Sequence, residues 1–185
     1  MAESPQSAPP AATQSKDGLV VLHCGDGKGK TTAALGLAAR AVGHGMKVCM
    51  VQFIKGKWQS GEHHLDLGKN FEIHPMGGGF TWDTQNRAKD IEMVRAGWDF
   101  AMQKVATGDY RMLILDEFLY VLSYDYFPLA EVLDFVAHKP SNLHLVLTGR
   151  NPPQALIELA DLVTEMKAIK HPYDAGIKAQ KGIEF

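Results

Sequence analysis

With 185 residues, 45% of them hydrophobic, the chain can bury one sizeable core, and its length favours one domain over two. Its 19 lysines and arginines against 21 aspartates and glutamates leave a formal charge of −2, which argues against a protein-wide positive field for nucleic acid; any polyanion must be gripped locally. The two cysteines, Cys24 and Cys49, belong to no CxxC or Cys/His pattern, which argues against a disulfide scaffold or zinc knuckle and fits a reducing compartment.

Residues 1–17 are rich in Ala, Pro, Ser and Gln, lack the apolar core of a signal peptide, and contain no arginine. They read as a flexible tail ahead of a domain spanning 18–185. No apolar run approaches the ~18 residues of a membrane span, so the expectation is a cytoplasmic protein with no membrane partner.

In chain order, "GLVVLHC" (18–24) reads as a strand, followed by a glycine-rich loop and a helix over "TTAALGLAARAVG" (31–43). Further strands are expected at "KVCMVQF" (47–53), "FEIHPM" (71–76), "RMLILDE" (111–117), "NLHLVLTG" (142–149) and "LVTEMKAI" (162–169), most of them too apolar to have a wet face. Helical spacing recurs over 86–106, where Ile91, Val94, Trp98, Met102 and Val105 share one stripe, and over 129–137 and 153–160. This alternation predicts a single-domain α/β fold: a mostly parallel sheet, helices on both faces, and a ligand crevice beyond the carboxyl ends of the strands.

The loop "CGDGKGKTT" (24–32) fits the end of the G-x4-G-K-[ST] phosphate-binding pattern with Gly29, Lys30 and Thr31, but Cys24 stands at its first glycine, with Gly25 and Gly27 following. Glycines let successive N–H groups turn towards phosphate oxygens, the helix start adds its positive end, Lys30 supplies a point charge, and Thr31 would ligate Mg²⁺. Lys28 either touches phosphate or is solvated. "RMLILDE" resembles a Walker B strand, with Asp116 and Glu117 both candidates for the metal side; adjacent strand residues point to opposite faces, so only one can serve unless the chain turns there. One of these acids could instead cap the next helix. Arg150, after the "LTG" strand, reaches the same sheet edge, where it would hold phosphate or form a surface ion pair. In "MGGGFTWDTQNR" (76–87), Phe80 and Trp82 either fill core or face something flat. The pair His63–His64 reads as surface, and both thiols read as packing groups.

Together, "GDGKGKTTAALGLAARAVGHG", "VQFIKG", "GFTWDTQN", "LDEFLYVLSYDY", "LTGR" and "KHPYDAGIKAQKGIEF" resemble the P-loop class of ATP:corrinoid adenosyltransferases, from about residue 18 to the end. The resemblance implies a RecA-like P-loop fold and a homodimer acting on Mg-ATP and a reduced corrinoid, with a reduced flavoprotein as electron donor. It implies that Co(I) attacks the ribose 5′ carbon of an ATP that lies reversed in the loop, that triphosphate leaves, and that an adenosylcorrinoid forms. By matching position, Gly25, Asp26, Gly27, Lys28, Gly29, Lys30, Thr31 and Thr32 would hold the phosphates with Arg150, Glu117 would be the Mg²⁺-associated acid, and Phe80 and Trp82 would face the corrinoid. Lys30, Arg150, Phe80 and Trp82 are thereby the expected catalytic set. An acid at Asp26 beside phosphate calls for an offsetting charge. Two rival readings share the loop: a kinase or ATPase moving the γ-phosphoryl group, and a nucleotide-dependent module gripping nucleic acid or another partner.

Overall fold

A computed structural model describes residues 16–54, 60–78 and 86–185. Six strands form one sheet: β1 Val20–Cys24, β2 Val48–Gln52, β3 Phe71–Pro75, β4 Met112–Asp116, β5 His144–Thr148 and β6 Leu162–Glu165. Their order is β3-β2-β4-β5-β1-β6 and every pairing is parallel. The carboxyl ends of all six strands therefore lie along one edge, and the glycine loop, Gln52, Asp116 and Thr148 meet there.

Alternation along the strands sorts their side chains into two cores. On one face Val21, Met50, Ile114 and Val146 pack against α1 (Lys30–Gly43), whose Ala34, Ala38 and Ala41 let the helix axis come close to the sheet. On the other, Leu22, Val51, Leu115 and Leu147 pack beneath α2 (Arg87–Ala106), α3 (Phe118–Ser123), α4 (Leu129–His138) and α5 (Gln154–Leu159). Trp98 of α2 stacks on Phe118 at 5.4 Å and meets Phe127 at 4.7 Å, so an aromatic cluster anchors that layer.

The six expected strands and four expected helices form, with ends shifted by a few residues. Three expectations need correction. Ile91 is exposed: α2 turns Val94, Trp98 and Ala101 inward, and Gly97 admits the Phe53 ring, which a Cβ there would meet at 3.0 Å. β6 has no buried residue, because it is an edge strand. Finally α3 was not expected, and it begins where Glu117 adopts φ 61°, ψ 16°. Lys16, inside the expected tail, pairs with Asp161 at 2.5 Å. No helix among the described residues is long and apolar enough to cross a membrane.

Candidate active site

The glycine loop leaves β1 at Cys24, and this explains the missing glycine. Cys24 is still a strand residue: it pairs with Glu165 of β6, its side chain is buried, and Sγ lies 3.6 Å from the Thr164 carbonyl. The left-handed backbone that needs glycine comes one residue later, at Gly25 (φ 102°), and again at Gly29 (φ 108°), the residue that starts α1. Gly27 is required for a different reason. A Cβ there would meet the backbone of Met166 and Lys167 at 2.7–2.8 Å, because the chain just past β6 braces the loop, accepting a hydrogen bond from the Gly27 N–H at 2.6 Å.

Lys30 is buried, and its Nζ donates to the Gly27 carbonyl at 2.8 Å. Burial lowers its pKa from the usual lysine value; Glu117 opposes that shift and Arg150 reinforces it. At the next position Thr31 Oγ1 donates to Asp116 Oδ1 at 2.9 Å. Thr148 Oγ1 donates to the same oxygen at 2.7 Å and accepts from the Glu117 N–H at 2.8 Å, which fixes the turn after β4. The left-handed conformation of Glu117 is the turn the sequence left open: it brings both acids to the sheet edge, Asp116 beneath Thr31 and Glu117 into the wall of the cleft.

That cleft encloses about 560 Å³, within the rough 300–1,000 Å³ range of small-molecule sites. Asp26, Gly27, Lys28, Gly29, Lys30, Thr31, Thr32, Glu117 and Arg150 all line it. Gly25 lies just behind, against Met166. Arg150 lies 3.3 Å from Asp26, so the charge offsetting that acid is an arginine, and its guanidinium sits 5.8 Å over the Tyr120 ring. Burial raises the Tyr120 phenol, with Glu117 adding to the shift. Lys28 is neither a bare surface lysine nor committed to the loop: it pairs with Glu184 at 3.2 Å. The two thiols behave as packing groups. Burial raises Cys24, with Glu165 adding, and burial with Glu72 pushes Cys49 up to about 12.

Several residues of the site carried no signal of their own. Gln52, wholly buried, donates to Asp116 Oδ2 at 3.0 Å, and His63 Nε2 lies 2.7 Å from Gln52 Oε1. His63 is therefore not the surface residue expected, although His64 is exposed. Residues 182–185, at the far end of the chain, line the same cleft. Phe80 and Trp82 lie outside the described residues.

A parallel sheet with a glycine loop between β1 and α1, an acid beneath the loop threonine and cations around one cleft define a P-loop nucleotide-binding protein. The sequence matches the family described as ATP:corrinoid adenosyltransferase BtuR/CobO/CobP over residues 16–185. It is 46% identical to the corrinoid adenosyltransferase of Escherichia coli strain K12 over 175 residues, 95% of this chain and 89% of that protein. The corrinoid adenosyltransferase CobA of Salmonella typhimurium is 44% identical with the same coverage, and that of Pseudomonas aeruginosa is 45% identical over 177 residues, 95% and 87% of the two chains. The chain belongs to the ATP:corrinoid adenosyltransferase family, and its enzyme class is that of an adenosyltransferase.

Proposed function

We propose that this cleft binds Mg-ATP and that the enzyme transfers its 5′-deoxyadenosyl group to the Co(I) of a reduced corrinoid. The cobalt electron pair forms the Co–C bond at the 5′ carbon while the bond from that carbon to oxygen breaks and triphosphate departs. The observation that carries the reading is the joining of a phosphate loop and its part-buried Thr31–Asp116 contact to a chain of this family. Released product would be adenosylcobalamin or an adenosylated precursor.

The residues divide by task. Loop N–H groups from Gly25 to Thr32 and the start of α1 would hold phosphate oxygens, with no general base or protein nucleophile required. Lys30 would exchange its Gly27 carbonyl for a phosphate oxygen, and Arg150 would release Asp26 to meet the growing charge on the leaving triphosphate. The oxygen-only donors Thr31, Asp116 and Glu117 suit a hard cation such as Mg²⁺, with Thr31 and Glu117 as the expected ligands. When bound, Mg²⁺ supplies positive charge to the polyphosphate. Phe80 and Trp82 would press against the corrinoid face, excluding an axial ligand and water and so easing access to Co(I). We read the working form as a cytoplasmic homodimer supplied with electrons by a reduced flavoprotein. In this reading residues 18–185 form the catalytic domain.

Lys30→Ala tests the assignment. With ATP, Mg²⁺ and chemically reduced corrinoid under anaerobic conditions, its rate of Co–C bond formation should fall by at least roughly 100-fold, as for loss of one preorganised charge stabiliser. Near-normal turnover would refute the role given to Lys30.

A further inference from the structure

The turn at Gly61–His64 carries no role in the mechanism above, yet it is wired to the metal side of the cleft. Its backbone closes through His63 N–H to the Ser60 carbonyl at 3.0 Å and Leu65 N–H to the Glu62 carbonyl at 3.2 Å, and Glu62 and Leu65 line the same cleft as the loop. From the floor of this turn His63 reaches the side chain of Gln52.

The hydrogen-bond directions along this chain follow from Asp116. The amide nitrogen of Gln52 faces Asp116 Oδ2 and donates to it at 3.0 Å, so Gln52 Oε1 is left to accept from His63. His63 must therefore carry its proton on Nε2. The amide nitrogen also lies 3.4 Å from Glu62 Oε1. Asp116 in turn receives Gln52 on Oδ2 and the hydroxyls of Thr31 and Thr148 on Oδ1. A wholly buried carboxylate with three donors has one favoured orientation, and losing any donor frees it to turn.

We propose that Gln52 and His63 are positioning residues that lock the Asp116 carboxylate, and through it the Thr31 hydroxyl, in the orientation that receives the cation of Mg-ATP. This rests on the Mg-ATP reading of the cleft, and it adds a connection from the 61–64 rim to the metal side. In the set Asp116–Gln52–His63, only the first member belongs to the Walker B-like strand; the other two come from the end of β2 and from the turn at Gly61–His64.

The test is a calorimetric titration of the full chain with ATP in the presence of a chelator, and again with ATP plus Mg²⁺, comparing the two dissociation constants. In His63→Ala the tightening produced by Mg²⁺ should shrink about fivefold, the factor expected for one lost hydrogen bond, while metal-free ATP binds within about twofold of wild type. His63→Gln, whose amide nitrogen can donate from nearly the place of Nε2, should restore the wild-type ratio. An unchanged ratio in His63→Ala overturns the proposal, as does a His63→Gln no better than alanine. A proportional loss of both affinities also overturns it, since that marks a turn that only shapes the wall. Gln52→Met should reproduce the smaller ratio if it folds; thermal denaturation of each variant identifies global destabilisation separately. Adenosyl transfer plays no part in this titration. A protein that shows the expected ratios but makes no adenosylcorrinoid would contradict the proposed reaction and leave the positioning role supported, whereas no Mg²⁺ effect in the wild type would overturn both.

Discussion

Replacing Gly27 by alanine isolates the bracing of the phosphate loop. Its backbone is not in the left-handed region, so the cost is steric: a new Cβ would lie 2.7 Å from the Met166 carbonyl oxygen and 2.8 Å from the Lys167 backbone, where ordinary contacts begin at 3.4 Å. None of these atoms belongs to a flexible side chain, so loop and strand end must separate by roughly 0.7 Å, which stretches and weakens the 2.6 Å bond from Gly27 to Met166. Overpacking of this kind costs about 1–3 kcal/mol, or about 2–12 °C in Tm for a chain of this length. Gly36→Ala is the matching control. It sits in the exposed interior of α1 with open space around its Cβ, and should gain about 0.5–1 kcal/mol. Differential scanning calorimetry and ATP titration of both variants give the comparison: Gly27→Ala should lose stability and ATP affinity, and Gly36→Ala should gain the first and keep the second. A Gly27→Ala protein with wild-type Tm and affinity would refute the claim that residues 166–167 set the shape of the loop.

Two other expectations concern the corrinoid side and acid stability. The double variant Phe80→Ala/Trp82→Ala should lose most activity when the assay starts from Co(II) with a reductant and far less when Co(I) is supplied; equal losses would argue against exclusion of an axial ligand. At Glu72, burial tends to raise the carboxyl, but hydrogen bonds from Lys104, Tyr110 and His74 outweigh it and hold the pKa at about 2. A folded pKa below the ordinary value of 4.5 means that this stabilisation is complete above pH 4.5 and is lost as pH falls towards 2. With solvent screening of this partly exposed group it amounts to about 1–2 kcal/mol. The Tm gap between wild type and Glu72→Gln should therefore be widest near neutrality and close in acid; a gap independent of pH would contradict the assignment.

How far the sequence revealed the site depended on whether each contact was local. The loop, α1 and the β4 acids were legible because glycine spacing, an alanine-rich helix and an apolar run ending in "DE" each occupy one short segment. The short helix α3 was not, because "FLYVLS" continues the apolar run of β4, and only the left-handed turn at Glu117, held by Thr148 from another strand, separates them. Similarly, His63 looks like half of an unremarkable histidine pair until β2 places Gln52 between it and Asp116. The stripe on α2 was found, but its phase was misjudged at Ile91: Gly97 and Ala101 form part of the buried face, and residues so small contribute little to a hydrophobic pattern. The exposure of β6 follows from its place at the sheet edge, which strand composition does not report. The Glu72 network also lay beyond reach, since it joins β3, α2 and Tyr110 across the fold.

The most direct measurement is the product balance of a single anaerobic reaction containing the purified protein, ATP, Mg²⁺ and cob(I)alamin. Adenosylcobalamin and intact triphosphate should appear in equal amounts, with no ADP beyond background. ADP and phosphate formed without a cobalt–carbon bond would mean that phosphorus is the electrophile in this cleft, and would contradict the account.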